Sequence, residues 1–255
     1  MRKIAKKAFV LLLIATFLFA AYNMASIMQN YQEIDSFNEE TKEKYTPREL
    51  LNKKWNVSLP DVDFDALKEK NKDIIGWIYI PDTNVSFPVL IGKTNSQYLY
   101  QSYEKKYLTA GSIFADYRCT RDFSDRHTVI YGHNMHNGSM FGKLKKYASQ
   151  EYREKHPYVY ILLPDGKVNR YEVFAYCQAD VEGVVFDLPI REEASDKDFA
   201  RLAETIISSN QYEEDNDGTE IAGEKYLTLT TCTQDSRNDV RVCISSRLSE
   251  IGELN

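Results

Sequence analysis

The sequence is short of the residues that build metal centres and disulfide scaffolds. It holds four cysteines and four histidines in 255 residues. Cys119, Cys177, Cys232 and Cys243 form no C-x-x-C pair, and their spacings match no zinc-ribbon pattern. His133 and His136 stand in an H-x-x-H spacing, but no cysteine or carboxylate lies near them at ligand spacing, so neither metal nor other cofactor is expected. Disulfides are not required to hold a domain of this size together. Basic excess is missing too. The formal charge is −6, and setting aside the four cations of residues 1–28 leaves −10 for the rest. That balance does not suggest a nucleic-acid groove. There is no internal repeat and no regular βαβ alternation.

What the chain does have is an apolar N-terminus. Arg2, Lys3, Lys6 and Lys7 precede "AFVLLLIATFLFAAY", which runs from Ala8 to Tyr22. A basic flank followed by an apolar run is a signal anchor or a cleavable signal peptide. The run reaches the roughly 20 residues of a bilayer span only if it continues to Met28. Small residues near Ala20 and Ala25 leave cleavage open. We take residues 1–28 as a single-pass membrane anchor, with the rest of the chain on the extracellular side. Residues 29–73 then read as a helical stalk with N-terminal helices. In "TPREL", Thr46 suits an N-cap and Pro47 a first helical position. "DFDALKEKNKDI" is a second short helix.

From residue 74 to 255 the texture is β-rich. "GWIYIP", "VSFPVLIG", "SIFADY", "HTVIYGH", "VYILLP", "NRYEVFAYCQAD", "YLTLTTCT" and "RVCISSRL" are runs of aromatic and β-branched residues bounded by Pro, Gly, Asn and Asp. They predict a mainly β fold, an eight-stranded closed or nearly closed barrel. Two helical inserts interrupt it. One is "MFGKLKKYAS". The other is "SDKDFARLAETIISS", with Phe199, Leu202, Ile206 and Ile207 at helical spacing behind a Ser195/Asp196 cap. The second lies in the long connection before the strand of Cys232, and long connections are usually functional.

Cys232 ends a strand in which Leu227 and Leu229 alternate with Thr228 and Thr230. By parity it lies off the leucine face. On pattern alone it is an inert small residue or a nucleophile. A nucleophile needs a base or a cation beside it. His127, His133, His136 and His156 are the available imidazoles. His133 follows an apolar strand and a glycine, at a strand end; His136 and His156 sit among polar neighbours. Arg241 opens the last strand, and a hairpin would bring it to Cys232, where a developing oxyanion needs positive charge. Arg237 in the connecting loop is its rival. An edge arginine that discourages aggregation is the plainer account of Arg241.

Together these residues resemble the sortases. The motif residues are "TLTTC" (Thr228–Cys232), the arginine at the next strand start, and "YGHNM" about 100 residues upstream. "YGHNMHNGSMFGKLKKY", "GSIFADYR" and "IIGWIYIPDTNVSFPVL" resemble the class B branch, and the likeness runs from Ile74 to Leu248. The resemblance implies a membrane-anchored cysteine transpeptidase on an eight-stranded barrel. Such an enzyme cleaves a C-terminal sorting motif after threonine and passes the acyl group to a cell-wall amine. It implies Cys232 as nucleophile, His133 as general acid and then base, and Arg241 as the oxyanion partner. It makes Asn95, Leu99 and Thr230 candidate substrate-groove residues, though a loop asparagine, a packing leucine and a strand threonine fit them equally. The partners implied are exported proteins bearing a sorting signal and a lipid-linked cell-wall precursor amine. A pilin-polymerising sortase and an exported cysteine protease that hydrolyses its acyl-enzyme are the alternatives.

Overall fold

The eight β-rich runs fold into eight strands that close on themselves. A computed structural model describes residues 2–180, 195–212, 225–232 and 240–254. In chain order the elements are α1 (Arg2–Tyr45), a hairpin of β1 (Glu49–Asn52) and β2 (Val57–Pro60), and α2 (Phe64–Lys70). The barrel strands follow: β3 (Ile74–Tyr79), β4 (Ser86–Ile91), β5 (Ile113–Ala115), β6 (His127–Tyr131), β7 (Tyr158–Leu162), β8 (Lys167–Asp180), β9 (Tyr226–Cys232) and β10 (Val240–Glu253). A 3₁₀ turn (Leu144–Ala148) and α3 (Gln150–Lys155) come before β7, and α4 (Asp196–Ser208) comes between β8 and β9.

Contacts divide the chain into two units, Met1–Glu40 and Thr41–Asn255. The first is the greater part of α1. It is the one helix among the described residues long and apolar enough to cross a membrane. Phe9, Leu11, Phe17 and Phe19 are all more than half exposed. A helix apolar on every side suits a lipid surround.

In the second unit the barrel order is β10-β8-β7-β3-β4-β5-β6-β9. Two neighbouring pairs, β4–β5 and β6–β9, are parallel; the others are antiparallel. Trp77, Ile78, Val89, Val129, Ile161, Leu227, Leu229 and Ile244 are fully buried. A parallel pair cannot be joined by a tight turn. The chain must therefore travel back along the barrel between Ile91 and Ile113, and this connection carries Asn95 and Leu99.

Both faces of β9 are buried. Leu227 and Leu229 have no exposure, and neither do Thr228 and Thr230. The helix predicted before the cysteine strand is α4, and it supplies part of the cover. Ser195 caps it by accepting from Asp198 N–H at 3.2 Å. Phe199, Leu202 and Ile206 form its buried stripe, and the Phe199 ring stacks on Tyr226 at 4.9 Å and 11°.

Two details of the N-terminal and insert expectations differ. "TPREL" does not begin a helix. Thr46 ends α1 instead, its N–H and hydroxyl both donating to Lys42 O at 2.7 and 2.8 Å. Pro47 brings no N–H to continue the ladder, and Leu50 and Leu51 enter the β1–β2 hairpin within the segment read as a helical stalk. "MFGKLKKYAS" is not one helix. Ser149 is extended (φ −90°, ψ 125°), which stops the 3₁₀ turn and lets its hydroxyl cap α3 at Tyr152 N.

Candidate active site

The register of β6, β9 and β10 sets the site. β6 and β9 run parallel with Tyr131 beside Thr230, and Gly132 N–H donates to Thr230 O at 3.2 Å. β9 runs on two residues past Thr230 to Cys232, whereas β6 ends at Tyr131 and His133 follows two residues beyond that end. On the other flank β10 runs antiparallel, and Arg241 is the direct partner of Cys232. Adjacent strands lie about 4.8 Å apart. Cys232 and Arg241 thus face each other on neighbouring strands, and His133 lies just past the end of β6 at the same end of the barrel.

His133 is positioned by its backbone and its ring. A Cβ on Gly132 would stand 2.5 Å from Ile113 Cδ1 and 2.6 Å from the Phe141 ring, so only glycine lets β6 leave the sheet there. His133 O then accepts from Phe141 N–H at 3.1 Å. The imidazole Nε2 lies 2.7 Å from Leu99 O. A carbonyl only accepts, so Nε2 carries the hydrogen and Nδ1 is the nitrogen free to exchange a proton. The Tyr100 ring packs beside the imidazole, centroids 5.5 Å apart.

The Leu99 carbonyl is held in turn by the β4–β5 connection. Gly111, at φ +58°, passes so close that a Cβ would meet Leu99 O at 2.2 Å. Fully buried Tyr98 donates its hydroxyl to Asp73 Oδ2 at 2.7 Å and accepts from Asn71 Nδ2 at 3.0 Å. Burial foremost pushes that phenol up to about 12. Asn71, at the end of α2, also donates to Tyr103 O at 2.9 Å, so one amide clamps two points of the connection.

Asn95 is engaged at both ends of its amide. Its Nδ2 donates to Asp116 Oδ2 at 2.9 Å and its Oδ1 accepts from Tyr117 N–H at 2.9 Å. Asp116 is fully buried and accepts from both sides of the Arg118 guanidinium, at 2.8 and 2.9 Å, and from the Tyr131 hydroxyl at 3.0 Å. Burial works against its charge, but hydrogen bonds from the Arg118 side chain and backbone and from Asn95 outweigh burial and hold the carboxyl below the usual range. Tyr131 is the penultimate turn-off to His133, so this cluster braces the end of β6.

The remaining candidates separate cleanly. Thr230 is fully buried with Oγ1 3.6 Å from Cys243 Sγ, and Leu99 is half-buried. His127 opens β6 at the opposite barrel end, where Nε2 meets Thr228 Oγ1 at 2.9 Å. His156 sits after α3, Nδ1 3.1 Å from Pro81 O. His136 is exposed in the loop beyond His133. Arg237 lies outside the described residues. Among the described residues no cluster of three His, Cys, Asp or Glu is arranged for a metal. Sequence reasoning missed Asp116, Tyr98 and Gly111. "GSIFADYR" contained two of them, but nothing in its pattern signals a carboxylate buried against its own i+2 arginine.

A cysteine paired in register with an arginine, and an imidazole with one committed nitrogen just past the neighbouring strand, are the residue types for acyl transfer through a covalent intermediate. Comparison with known proteins agrees with that chemistry. Residues 78–249 match the sortase domain family. Sortase B of Listeria monocytogenes is 29% identical over 247 residues, covering 95% of this chain and 96% of its own length. Sortase B of Staphylococcus aureus is 31% identical over 170 residues, 66% of this chain and 67% of its own. The crystal structure of sortase B from Bacillus anthracis superposes with a TM-score of 0.70 at 28% identity, covering 87% of this chain and 98% of that one.

Proposed function

The chain belongs to the sortase family as a class B member and is a cysteine transpeptidase, and from that premise we propose which residues do the work and on what. The Cys232 thiolate attacks the carbonyl carbon of the threonine in a C-terminal sorting motif. The tetrahedral oxyanion forms beside Arg241, whose fixed charge favours it. His133, doubly protonated, gives its Nδ1 proton to the departing amine, and the C–N bond breaks to leave a thioester on Cys232. An incoming amine of a cell-wall precursor attacks the thioester, His133 Nδ1 takes its proton, and the thiolate leaves. The proton count closes over the cycle.

The observation that carries this reading is the register that makes Cys232 the direct partner of Arg241, with His133 just past the end of the strand on the other flank of β9. The Leu99 carbonyl supports the role given to His133. It engages Nε2 in either protonation state, so the proton in play stays on Nδ1. Asn95 and Leu99 are assigned to the rim of the groove on which the motif lies. Thr230 is assigned to the layer beneath it, consistent with its burial. The apolar part of α1 serves as the membrane anchor, which puts the barrel on the extracellular side with its exported substrates.

The test is a peptide library of sorting motifs given to the enzyme with and without an amine acceptor, the products identified by mass. The proposal expects cleavage after threonine and acceptor-dependent formation of a new amide. Hydrolysis unaffected by any acceptor would sink it.

A further inference from the structure

Two thiols outside the proposed catalytic set face each other across β8 and β10. Cys177 and Cys243 are direct register partners and both are fully buried. Directly opposed Cα atoms in an antiparallel ladder lie about 4.5–5.5 Å apart. That falls inside the roughly 4.4–6.8 Å that a disulfide spans. Both are nevertheless free thiols. Cys119, free as well, lies beyond the end of β5 and makes no part of this ladder.

The pair also has a defined place relative to Cys232. Across β9, β10 and β8 the register rows are Cys232–Arg241–Ala179 and then, two residues along, Thr230–Cys243–Cys177. The dithiol therefore occupies the second row from the one holding Cys232 and Arg241, with the row Thr231–Val242–Gln178 between them.

We propose that Cys177 and Cys243 are a redox modification site, a dithiol that a hydroperoxide converts into a cross-strand disulfide. The Cys177 thiolate attacks a peroxide oxygen, the O–O bond breaks, and hydroxide leaves to give a sulfenic acid. The Cys243 sulfur then attacks the Cys177 sulfur. The S–S bond forms, the S–O bond breaks, and the oxygen departs as water with the Cys243 proton. Two thiols lose two electrons and two protons, and hydrogen peroxide becomes two waters. A hydrogen bond between the two sulfurs acts oppositely on them. It holds Cys177 below the usual thiol value against its burial, whereas the same bond, together with burial, pushes Cys243 up. A small oxidant suits a site with no exposed sulfur. The product ties β10 to β8 two residues beyond Arg241.

The experiment uses the full chain carrying Cys232→Ala, which removes the other reactive thiol. It is exposed to hydrogen peroxide, unfolded, alkylated and mapped without reduction. The expected result is a loss of two hydrogens, one linked peptide pair containing Cys177 and Cys243, and reversal by dithiothreitol. Cys177→Ser in the same background yields no link. Alkylation of both thiols after peroxide, a link that includes Cys119, or oxygen gained on either sulfur without a link would overturn the proposal.

Discussion

Replacing Gly111 by alanine tests the chain of contacts that fixes His133. The added Cβ would stand 2.2 Å from Leu99 O and 2.4 Å from Tyr98 O, where ordinary contact begins near 3.4 Å. Neither neighbour is the end of a flexible side chain; both are backbone. Alanine at φ +58° also carries a left-handed penalty of about 1–2 kcal/mol. The Leu99 carbonyl must retreat by about 1 Å, and a displacement of that size at a positioning group costs on the order of 10²-fold. Since that carbonyl is what holds Nε2, the imidazole loses its fixed orientation while Gly111 itself touches no substrate. The assay is kcat/KM on a sorting-motif peptide, alongside thermal unfolding and the imidazole N–H resonance of His133. A fall of about 30- to 100-fold in kcat/KM is expected, with a folded barrel and a lost or shifted Nε2–H signal. If kcat/KM stays within about two-fold of the parent, or the resonance is unmoved, the positioning argument is wrong.

Other substitutions probe separate links. His133→Ala and Arg241→Ala should each lower turnover by at least about 10²-fold with an unchanged far-ultraviolet spectrum; near-parent turnover in either refutes its role. Asp116→Asn leaves the Arg118 cation against a buried neutral amide. It should destabilise by roughly 3 kcal/mol, the low end for a broken buried pair because Arg118 is one third exposed; denaturant unfolding within about 0.5 kcal/mol of the parent would contradict this. Fully buried His127 has its folded value pushed down to about 4 by burial, from 6.5. The unfolded chain therefore binds the extra proton first. This contribution is complete above pH 6.5 and is lost as pH falls towards 4, by up to about 3 kcal/mol. His127→Gln should flatten the stability profile in that window, and a profile that keeps its slope would refute the assignment.

The strands were legible because eight runs of aromatic and β-branched residues are bounded by turn residues, and all eight form. α4 was legible from the spacing of Phe199, Leu202 and Ile206. The β1–β2 hairpin was not, because Thr46 and Pro47 make an equally good helix start in isolation; only the back-bonds to Lys42 decide the matter. The alternation in "YLTLTTC" separated two faces correctly but not their burial, since the cover over Thr228 and Thr230 comes from segments distant in sequence. His133 could be placed at a strand end from "VIYGH". Its fixation by Leu99 O could not, because a backbone carbonyl carries no sequence signature, and the glycine that seats it lies 22 residues from the histidine.

The β6–β9 pairing has a kinetic consequence. Tyr131 and Thr230 are 99 residues apart, the widest separation of any neighbouring pair in the barrel. Closing a contact of such long range is an entropically late event, and chains dominated by such pairings fold in milliseconds to seconds. Cys232 ends one strand of this seam, and His133 follows two residues after the end of the other. An incompletely folded chain therefore holds Cys232 and His133 apart, and the two come to one end of the barrel only when the ring is shut.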